Sequence, residues 1–425
     1  MSARVTFPLL IYRGVVALLL PLLYWGAILE KYLSPRHWPS SWRLRDRLGY
    51  GLPIPKSGPV WWFHAASLGE AKGMLALARF TTMGWSGSRI LTVNTLAAYT
   101  FIRAELVHES DREGWHILFA PFDHPGLVRF FLRRLHIQKL ILFEVELWPH
   151  FVLSAHAMKI QVLWVSVRWT AKAQSLYGLF PSSLAVLLGQ VAWILAQDES
   201  EAESLRRHGC QHVEVGPDLK GLHYLPMLAI ESPPIPNVDW QKRNGAAFIS
   251  IHAEELPSLL EVLKILRQTM PVLVFPRQMR ELPYFIKKLS PLGFQAYSHG
   301  PGRLQIVDSM GQVANLLSHC HVGFVGGSYG PWGGHNLWEP LNAGLAMVIG
   351  PSYQNQTYLA EQLKQKGLLI VATDRLNPAW FTKPSEDPTP EFRFFVEKER
   401  MALQNALERM RPYLGRFDQS IIFRS

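Results

Sequence analysis

Phe324-Val325-Gly326-Gly327-Ser328, continuing through Gly333-Gly334-His335-Asn336 to Glu339-Pro340, is the stretch that decides the fold. It predicts a buried strand, a glycine-rich turn and a helix start, with Asn336 as N-cap and Glu339 three residues on, as in a capping box. Glycine lets the backbone approach a ligand, and a helix N-terminus binds anions. We interpret the stretch as a candidate phosphate or nucleotide-sugar site. A plain strand-turn-helix connection is the alternative, since the spacing fits neither a P-loop nor a dinucleotide loop.

The same alternation of strand and helix recurs along most of the chain. Short apolar runs predict strands at 60–64, 89–93, 115–119, 139–143, 161–167, 193–197, 213–215, 247–251, 272–275, 304–307, 322–325 and 346–349. Helices are predicted at 70–80, 97–108, 125–135, 257–269, 283–289, 313–318 and 397–409. One further helix is predicted to follow the strand at 139–143 and run through Trp148, and another to begin at 339. The alternation predicts an α/β protein with two doubly wound, Rossmann-like domains facing a cleft. B-type glycosyltransferases share this architecture with certain epimerases and phosphorylases, so fold alone does not decide function.

A change in composition predicts the domain boundaries. Residues 222–244 are rich in proline and lack periodicity, which is typical of a linker. They separate an N-terminal domain at 36–221 from a C-terminal domain at 245–425. The last helix belongs to the second domain or packs back on the first.

The first 35 residues predict a membrane anchor. Residues 5–12 are mostly apolar, Arg13 interrupts, and 14–29 is continuous apolar sequence of about 16 residues, against roughly 20 for a transmembrane helix. Lys31, Arg36 and Arg43 follow, which indicates that this end faces the cytoplasm. No small-residue cleavage site follows the apolar run, as a signal peptide would require. The anchor spans the bilayer or lies in one leaflet, and a buried core helix is the alternative.

The charge balance favours anionic partners. The formal net charge is +10, with a pI near 9.6, which suits a membrane surface, phosphorylated substrates or nucleic acid. No zinc-finger or RNP-type motif supports nucleic acid. The only cysteines, Cys210 and Cys320, fit no metal-ligand spacing, so a reducing compartment is the simpler interpretation.

Charged residues follow several predicted strands of the first domain, where ligands bind in open α/β sheets. Glu70 stands near a helix start, where it accepts a proton from a sugar hydroxyl or only stabilises the helix dipole. Glu144 and Glu146 share one face if their strand continues, whereas a turn would part them. Lys220 either contacts a phosphate or developing negative charge in the transition state, or is an ordinary surface lysine.

Similar candidates follow strands of the second domain. Arg277 suits bidentate contact with a phosphate. Asp308 precedes Ser309-Met310-Gly311 at a helix start, whose free N–H groups suit a ligand, although Asp308 also fits a plain N-cap. No D-x-D pair occurs in the sequence. We therefore expect no metal and expect leaving-group charge to fall to Arg, Lys and helix dipoles.

In the order and spacing of its motifs the chain resembles the 3-deoxy-D-manno-octulosonic acid (Kdo) transferases of lipopolysaccharide synthesis, from the N-terminal anchor to about Asn355. The motifs are Trp62-Phe63-His64-Ala65-Ala66-Ser67-Leu68-Gly69-Glu70, Glu144-Val145-Glu146-Leu147-Trp148-Pro149, Leu195-Ala196-Gln197, Leu219-Lys220, Pro276-Arg277, Asp308-Ser309-Met310-Gly311, Gly333-Gly334-His335-Asn336 and Glu339-Pro340.

The resemblance implies an inverting, metal-independent transfer of Kdo from CMP-Kdo to a lipid A precursor. The protein would lie at the cytoplasmic face of the bacterial inner membrane, against its anionic surface, with no cofactor and no nucleic-acid partner. The N-terminal domain would bind the acceptor and the C-terminal domain the nucleotide sugar. Glu70 would be the general base, and Glu146 and Lys220 would stabilise the transition state. The CMP moiety would be held by Pro276, Arg277, Ser309, Met310, Gly311, Asn336 and Glu339.

Four departures from the family pattern bear on the choice of acceptor. The family usually shows Asn-Ala-Arg-Leu at 166–169, a glycine before the carboxylate pair at 254–255, His at Gln278 and Asn at Asp218. The altered segment at 166–169 keeps open a B-type glycosyltransferase with another nucleotide sugar. The changes near Glu254 and Gln278 keep open a non-catalytic, membrane-associated protein that binds a sugar lipid.

Overall fold

The chain divides into two compact units, each with its own parallel sheet. The first comprises Met1–His223 with Ala402–Ser425, and the second Tyr224–Met401. The structure, a computed structural model, describes residues 7–32, 43–56, 58–83, 85–109, 112–169, 181–224, 243–300, 302–308, 316–382 and 388–414. The predicted linker at 222–244 lies largely outside these ranges, and so do residues 313–315 of the helix predicted at 313–318.

The first unit is built on seven parallel strands in the order β3-β2-β1-β4-β5-β6-β7. The strands are β1 Val60–His64, β2 Ser88–Val93, β3 Trp115–Phe119, β4 Lys139–Phe143, β5 Gln161–Val167, β6 Trp193–Ala196 and β7 Val213–Val215. The strand order reverses between the neighbours β1 and β4. Apolar runs without alternation predict strands of this kind, because both faces of a parallel sheet are covered.

Helices cover both faces of this sheet, and several begin with a side-chain cap. They are α1 Phe7–Tyr32, α2 Leu44–Arg47, α3 Leu68–Thr81, α4 Leu96–Glu105, α5 Pro125–Arg134, α6 Pro149–Ala157, α7 Pro181–Leu188, α8 Glu199–Arg207 and α9 Gly221–Tyr224. Ser67, Thr95 and Asp198 each accept a backbone N–H at the start of α3, α4 and α8. The core between the layers includes the fully buried Trp62 and Trp164.

The second unit repeats the design with seven parallel strands in the order β10-β11-β9-β8-β12-β13-β14. The strands are β8 Gly245–Ile251, β9 Val272–Pro276, β10 Gln295–Ala296, β11 Leu304–Ile306, β12 Cys320–Val325, β13 Ala346–Ile349 and β14 Leu369–Val371. Its helices are α10 Leu256–Thr269, α11 Leu282–Leu289, α12 Trp338–Asn342, α13 Thr357–Gln365 and the first part of α14 Thr389–Leu414, whose residues from Ala402 onward belong to the first unit. The strand order reverses between β8 and β12, which pair directly. The predicted α/β class with two parallel sheets is confirmed.

The N-terminal helix α1 docks on the first unit along one side only. Leu20 and Leu23 pack on a small cluster around Leu44 and Leu48. The opposite side exposes large apolar residues, with Leu18 78% exposed. Other residues of this exposed face are Leu10, Ile11, Val15, Leu19, Leu22 and Trp25. Among the described residues, none of the helices meets the length and hydropathy of a transmembrane span.

A buried carboxylate ties α1 to the sheet layer. Asp123 accepts the N–H groups of His150 and Phe151 at the start of α6, at 3.0 Å each, and the Tyr12 hydroxyl of α1 at 2.9 Å. Tyr12 also stacks on the His150 ring. The contact fixes the N-terminal part of α1 against α6.

Two local predictions are wrong. The helix predicted through Trp148 is instead a tight turn at 144–147, because Glu144 takes a left-handed φ of 55°, and α6 begins only at Pro149. Asn336 is not the N-cap of the following helix, which begins at Trp338 with Leu337 before it. The Asn336 side chain still caps that helix, since its Oδ1 accepts the Trp338 N–H at 3.1 Å.

Candidate functional site

Four charged residues gather where the strand order of the first sheet reverses. Glu70 begins α3 directly after β1, and Glu144 and Glu146 follow the neighbouring strand β4. Lys220 follows β7 and reaches Glu144. In open α/β sheets a ligand binds outside the carboxyl ends of the strands at such a switch point. The structure thus brings together the predicted Glu70, Glu146 and Lys220, and adds Glu144.

Glu70 is held by a capping box at the start of α3. Its Oε2 accepts the N–H groups of Ala66 at 2.7 Å and Ser67 at 3.2 Å, and the Ser67 hydroxyl accepts the Glu70 N–H at 3.4 Å. Both bonds use Oε2, and Oε1 has no hydrogen bond with a described residue. Glu70 therefore caps the helix with one oxygen, and its other oxygen makes no hydrogen bond with a described residue.

The pKa of Glu70 is raised from its ordinary value to about 7. Burial is the largest cause, and the negative charges of Glu144 and Glu146 add to it, while the two backbone hydrogen bonds oppose the rise. A carboxyl group with a pKa near the working pH is the type that transfers protons efficiently. The residue that caps α3 is thus also a carboxyl group with a pKa of about 7.

Glu144 forms a buried ion pair with Lys220. Lys220 Nζ lies 2.5 Å from Glu144 Oε1, and Arg168 Nη2 lies 3.4 Å from Glu144 Oε2. Burial raises the pKa of Glu144, but Lys220 and Arg168 outweigh it and hold the pKa below its ordinary value. Burial lowers the pKa of Lys220, but Asp218 and Glu144 raise it above its ordinary value. Both partners are therefore charged at neutral pH.

Glu146 faces the other way, into a chain of hydrogen bonds. Its Oε2 accepts the Trp148 indole N–H at 2.6 Å and lies 3.1 Å from His64 Nε2. His64 Nδ1 lies 2.8 Å from the Thr92 hydroxyl, which accepts the Trp62 indole N–H at 2.7 Å. These bonds are all satisfied when Thr92 donates to Nδ1 and His64 donates from Nε2. Burial raises the pKa of Glu146, but His64 and Trp148 lower it below its ordinary value.

A second network positions Lys220 after β7. The Ser166 hydroxyl donates to Asp218 Oδ1 and accepts the Leu219 N–H, each at 3.1 Å. The Gln197 amide also donates to Ser166 Oγ at 3.1 Å. Ser166 has a left-handed φ of 54°, at a register shift in β5. The ends of β5, β6 and β7 are therefore linked, which fixes the loop that carries Lys220.

Close packing of α3 also depends on a glycine. A Cβ at Gly73 would lie 2.9 Å from Lys220 Cα and 2.9 Å from Phe143 Cζ. Only a residue without a side chain lets α3, which carries Glu70, pack this closely on the Lys220 loop.

In the second unit a buried carboxylate occupies the glycine-rich turn. Glu255 Oε2 accepts the Gly327 N–H at 2.8 Å and the His252 N–H at 3.1 Å. Its Oε1 accepts the N–H groups of Ser328 and Tyr329, each at 3.0 Å. The N–H groups that the sequence offers to a phosphate are thus bound to Glu255. The first half of the stretch is therefore an internally filled anion site. In the second half, the N–H groups of Gly334 and His335 donate to the carbonyls of Gly327 and Gly326, at 2.8 and 3.1 Å.

A pair of imidazoles lies beside this turn. His252 Nε2 and His335 Nε2 are 2.8 Å apart, so one ring donates to the other. The Trp332 ring stacks on His252 with centroids 4.0 Å apart. Burial is the first cause that lowers the pKa of His335, to about 3, and the charge of Arg277 is the second. His335 is therefore neutral at physiological pH and offers hydrogen bonds rather than charge.

The predicted donor-binding residues lie partly within the described ranges. Pro276 ends β9, and Arg277 follows with an exposed side chain. Asn336 Nδ2 donates to the Tyr224 hydroxyl at 2.6 Å, and Glu339 stands in the first turn of α12. Ser309, Met310 and Gly311 lie outside the described residues. The binding role of all seven stays a prediction.

One group of side chains in the described part of the second unit offers metal-ligand atoms. His252, Glu254 and Glu281 place one such atom each within 4.8 Å of one another. His252 is buried and Glu254 is exposed, so this group of three side chains is accessible to solvent on the side of Glu254. The expectation of a metal-independent reaction stays a prediction.

Sequence reasoning missed the partners of the predicted residues. No function was assigned to His64 or Glu255 from the sequence, although both lie in segments named above. Arg168 lies in the segment 166–169, which was noted only because it differs from the family pattern. Burial gives the missing signal, because a carboxylate placed after an apolar strand needs a partner. The partner itself is unpredictable from local sequence, since Glu255 binds a turn about 70 residues away in the chain.

The comparisons with known proteins agree with one another. A protein-family model described as "3-Deoxy-D-manno-octulosonic-acid transferase (kdotransferase)" matches residues 42–222. The 3-deoxy-D-manno-octulosonic acid transferase of Chlamydophila psittaci is 24% identical over 350 residues, which cover 76% of this chain and 76% of that protein. The protein with the same description in Haemophilus influenzae is 24% identical over 430 residues, covering 95% and 98%.

A solved structure supports the fold. The UDP-GlcNAc 2-epimerase from Neisseria meningitidis, bound to UDP-GlcNAc, matches with a TM-score of 0.53 and 13% identity, over 83% of this chain and 98% of that one. At this identity the likeness shows the fold alone, which is the predicted two-sheet, B-type glycosyltransferase architecture.

Proposed function

Because the chain belongs to the 3-deoxy-D-manno-octulosonic acid transferase family and is therefore a glycosyltransferase, we propose that it transfers Kdo from CMP-Kdo to a lipid A precursor. The observation that carries this proposal is the cluster at the switch point of the first sheet. It combines Glu70, with a pKa of about 7, with the charged pair Glu144–Lys220. An acid-base group beside a fixed cation suits attack by a hydroxyl on an activated sugar.

In the proposed reaction Glu70 is the general base. Its Oε1 takes the proton of the acceptor hydroxyl while the hydroxyl oxygen bonds to the anomeric carbon of Kdo. The bond from that carbon to the phosphate oxygen of CMP breaks on the opposite face, and CMP leaves with the bonding pair. The anomeric configuration inverts, and no metal takes part.

Lys220 and Glu146 stabilise the transition state in this proposal. Lys220 keeps its charge because Asp218 and Glu144 raise its pKa, so a fixed ammonium group is available to developing negative charge. Glu146 is anchored by His64 and Trp148, and as an anion it favours positive charge on the sugar ring. Both groups are preorganised by hydrogen bonds, which is what electrostatic catalysis requires.

The donor would be held in the second unit. Arg277 supplies a guanidinium group for the phosphate of CMP. Asn336 and Glu339 lie in the second half of the glycine-rich stretch, beyond the N–H groups that Glu255 binds. With Pro276, Ser309, Met310 and Gly311 they form the proposed CMP site.

The proposed location is the cytoplasmic face of the inner membrane. The exposed face of α1 presents Leu18, Leu22 and Trp25, each at least 66% exposed, along one side of the helix. An exposed apolar helix face beside a basic protein surface suits binding at an anionic bilayer interface.

Release of CMP tests the proposal directly. The purified full chain is incubated with CMP-Kdo and a tetraacylated lipid A precursor, and free CMP and the glycosylated lipid are both measured. Acceptor-dependent CMP release is the expected result. A panel of UDP-sugars serves as the matched control, and transfer from a UDP-sugar but not from CMP-Kdo would reject the proposed donor.

The departure at 166–169 does not weaken the cluster. Ser166 makes three hydrogen bonds in a backbone conformation that suits asparagine, the residue usual in the family. The loop that carries Lys220 is therefore fixed in this chain as well. A protein that only binds a sugar lipid would show neither CMP release nor a tuned pH dependence.

A further inference from the structure

The outer face of α5 lines a cavity that no role described so far uses. The cavity has a volume of about 650 Å³. Its lining residues are Gly126, Arg129, Phe130, Arg133, Arg134 and His136. The first five follow the helical spacing i, i+3, i+4, i+7 and i+8, so they form one continuous face. All are exposed, which leaves the face open to a ligand.

The arginines of this face, hereafter the α5 groove, are not neutralised. Among the described residues, none of Arg129, Arg133 and Arg134 forms an ion pair with a carboxylate. Arg129 Nε donates to the Pro125 carbonyl at 2.9 Å, which orients its guanidinium along the helix. Three guanidinium groups within two helical turns create a concentrated positive potential.

The positive surface continues into a second cavity. That cavity, of about 260 Å³, is lined in part by Lys56, Arg134 and His136. Arg134 and His136 line both cavities, so the two adjoin and together present Arg129, Arg133, Arg134 and Lys56. Of these, Lys56 has a carboxylate nearby, with its Nζ 3.5 Å from Oε2 of the exposed Glu113. Val60, the first residue of β1, lies at its end.

The α5 groove is separate from the candidate catalytic cluster. Val60 begins β1, and His136 precedes β4, so this end of the groove lies at the amino ends of the strands. Glu70 and Glu146 follow the carboxyl ends of the same strands. A strand of five residues spans roughly 17 Å, so the two places are about that far apart.

Helix electrostatics alone does not account for the groove. Arg133 and Arg134 stand in the last turn of α5, where cations favour the helix dipole. Arg129 lies in the middle of the helix, where that effect is negligible. Phe130 is 48% exposed between the arginines, where a purely solvated face would be polar.

We propose that the α5 groove binds phosphate groups. Arginine matches phosphate oxygens bidentately, and Phe130 offers an apolar wall beside them. The source that the structure favours is the headgroup of an anionic lipid, because Leu127 of α5 packs on the same cluster as Leu20 and Leu23 of α1. The lipid-binding groove does not depend on the proposed reaction, since it lies away from the residues assigned to it.

The test uses the full chain and three variants. The groove variant is Arg129→Gln/Arg133→Gln/Arg134→Gln. A charge-matched control, Arg103→Gln/Arg207→Gln/Lys287→Gln, removes the same charge from exposed positions elsewhere. The third variant, Arg129→Lys/Arg133→Lys/Arg134→Lys, keeps the charge but loses the guanidinium fork.

Binding is measured to vesicles of phosphatidylglycerol and phosphatidylcholine, to pure phosphatidylcholine vesicles, and to soluble glycerol phosphate. Taking the ratio of anionic to zwitterionic binding removes the apolar contribution of α1. We expect this ratio to fall about 100-fold in the groove variant, less in the lysine variant, and by less than about 3-fold in the control. Loss of glycerol phosphate binding with an unchanged vesicle ratio would assign the groove to a soluble phosphate ligand. Equal ratios in groove and control variants, with glycerol phosphate binding unchanged, would overturn the proposal.

Discussion

At the scale of single residues, the structure explains why three carboxylates crowd one place. Glu144 and Glu146 leave β4 in opposite directions because of the left-handed turn at Glu144. Glu144 forms an ion pair with Lys220, and Glu146 forms hydrogen bonds with His64 and Trp148, so both carboxylates have partners. Glu70 has no such cation, and its pKa rises to about 7. The turn therefore gives Glu144 and Glu146 separate partners, whereas the pKa of Glu70 is raised.

The pH dependence of turnover follows from Glu70. A base works as the carboxylate, whose fraction grows as the pH rises through the pKa of about 7. We expect kcat/KM to rise about tenfold per pH unit below this value and to level off above it. Initial rates at constant ionic strength give the profile. A flat profile from about pH 5.5 to 8.5 would contradict the assigned role, provided that thermal unfolding shows an intact fold throughout.

Glu255 gives a prediction that concerns structure rather than chemistry. Glu255→Gln keeps one acceptor oxygen for four backbone N–H groups, and its amide NH₂ points at donors. We expect a loss of about 2–4 kcal/mol in the stability of the second unit. Amide hydrogen exchange at Gly327, Ser328 and Tyr329 is the measurement. The adjacent, exposed Glu254→Gln is the control and should change exchange by less than about 0.5 kcal/mol. Equal protection in both variants would count against the role of Glu255.

At the scale of elements, the sequence predicted the strands better than the turns. β1, β3, β4, β5, β7 and β13 begin and end at the predicted residues. The runs of β1, β4, β5 and β13 are buried almost throughout, so the local pattern and the tertiary environment agree, whereas β3 and β7 at the sheet edges are only partly buried. The turn after β4 was left open as one alternative, because it depends on the buried partners Lys220 and Arg168 of Glu144, which follow other strands. Residues 313–315 of one predicted helix fall outside the described ranges.

The helix that carries Glu70 offers a matched pair of glycine substitutions. Gly73→Ala places a Cβ within 2.9 Å of the Lys220 Cα, so α3 or the Lys220 loop must shift. We expect a stability loss of about 1–3 kcal/mol and a fall in turnover of about 10- to 100-fold. Gly69→Ala in the same helix has nothing within 4 Å and should keep or slightly raise stability. Calorimetry and CMP release measure both, and similar behaviour of the two variants would reject the packing argument.

At the scale of the whole molecule, charge and exposed apolar surface point to the same environment. The net charge of +10 and the exposed face of α1 both favour an anionic membrane surface. The amino-acid composition and the apolar N-terminal run already predicted an anionic membrane surface as a partner. The α5 groove was not predicted, because its arginines are spaced along a helix and become one feature only when the helix is placed. The boundaries predicted at 36–221, 222–244 and 245–425 stay predictions.

The membrane contact is tested on the exposed face of α1. Leu18→Gln/Leu22→Gln changes residues that are 78% and 67% exposed, so the fold should be stable to within about 0.5 kcal/mol. We expect binding to phosphatidylcholine vesicles to weaken at least tenfold, because about 3 kcal/mol of apolar contact is lost. Ile265→Gln/Met401→Gln, at positions 49% and 55% exposed outside α1 and the α5 groove, is the control. Vesicle sedimentation is the readout, and an equal effect of both changes would exclude α1 as the contact.

The kinetics of Glu70→Gln test the central claim most directly. Glutamine keeps an oxygen that can accept the Ala66 and Ser67 N–H groups, so α3 stays capped while the proton acceptor is lost. With CMP-Kdo and the lipid acceptor, turnover should fall about 10²- to 10⁴-fold while the affinity for CMP is unchanged. The exposed Glu203→Gln in the same unit should retain full turnover. Turnover of Glu70→Gln equal to that of the unaltered protein would contradict the account.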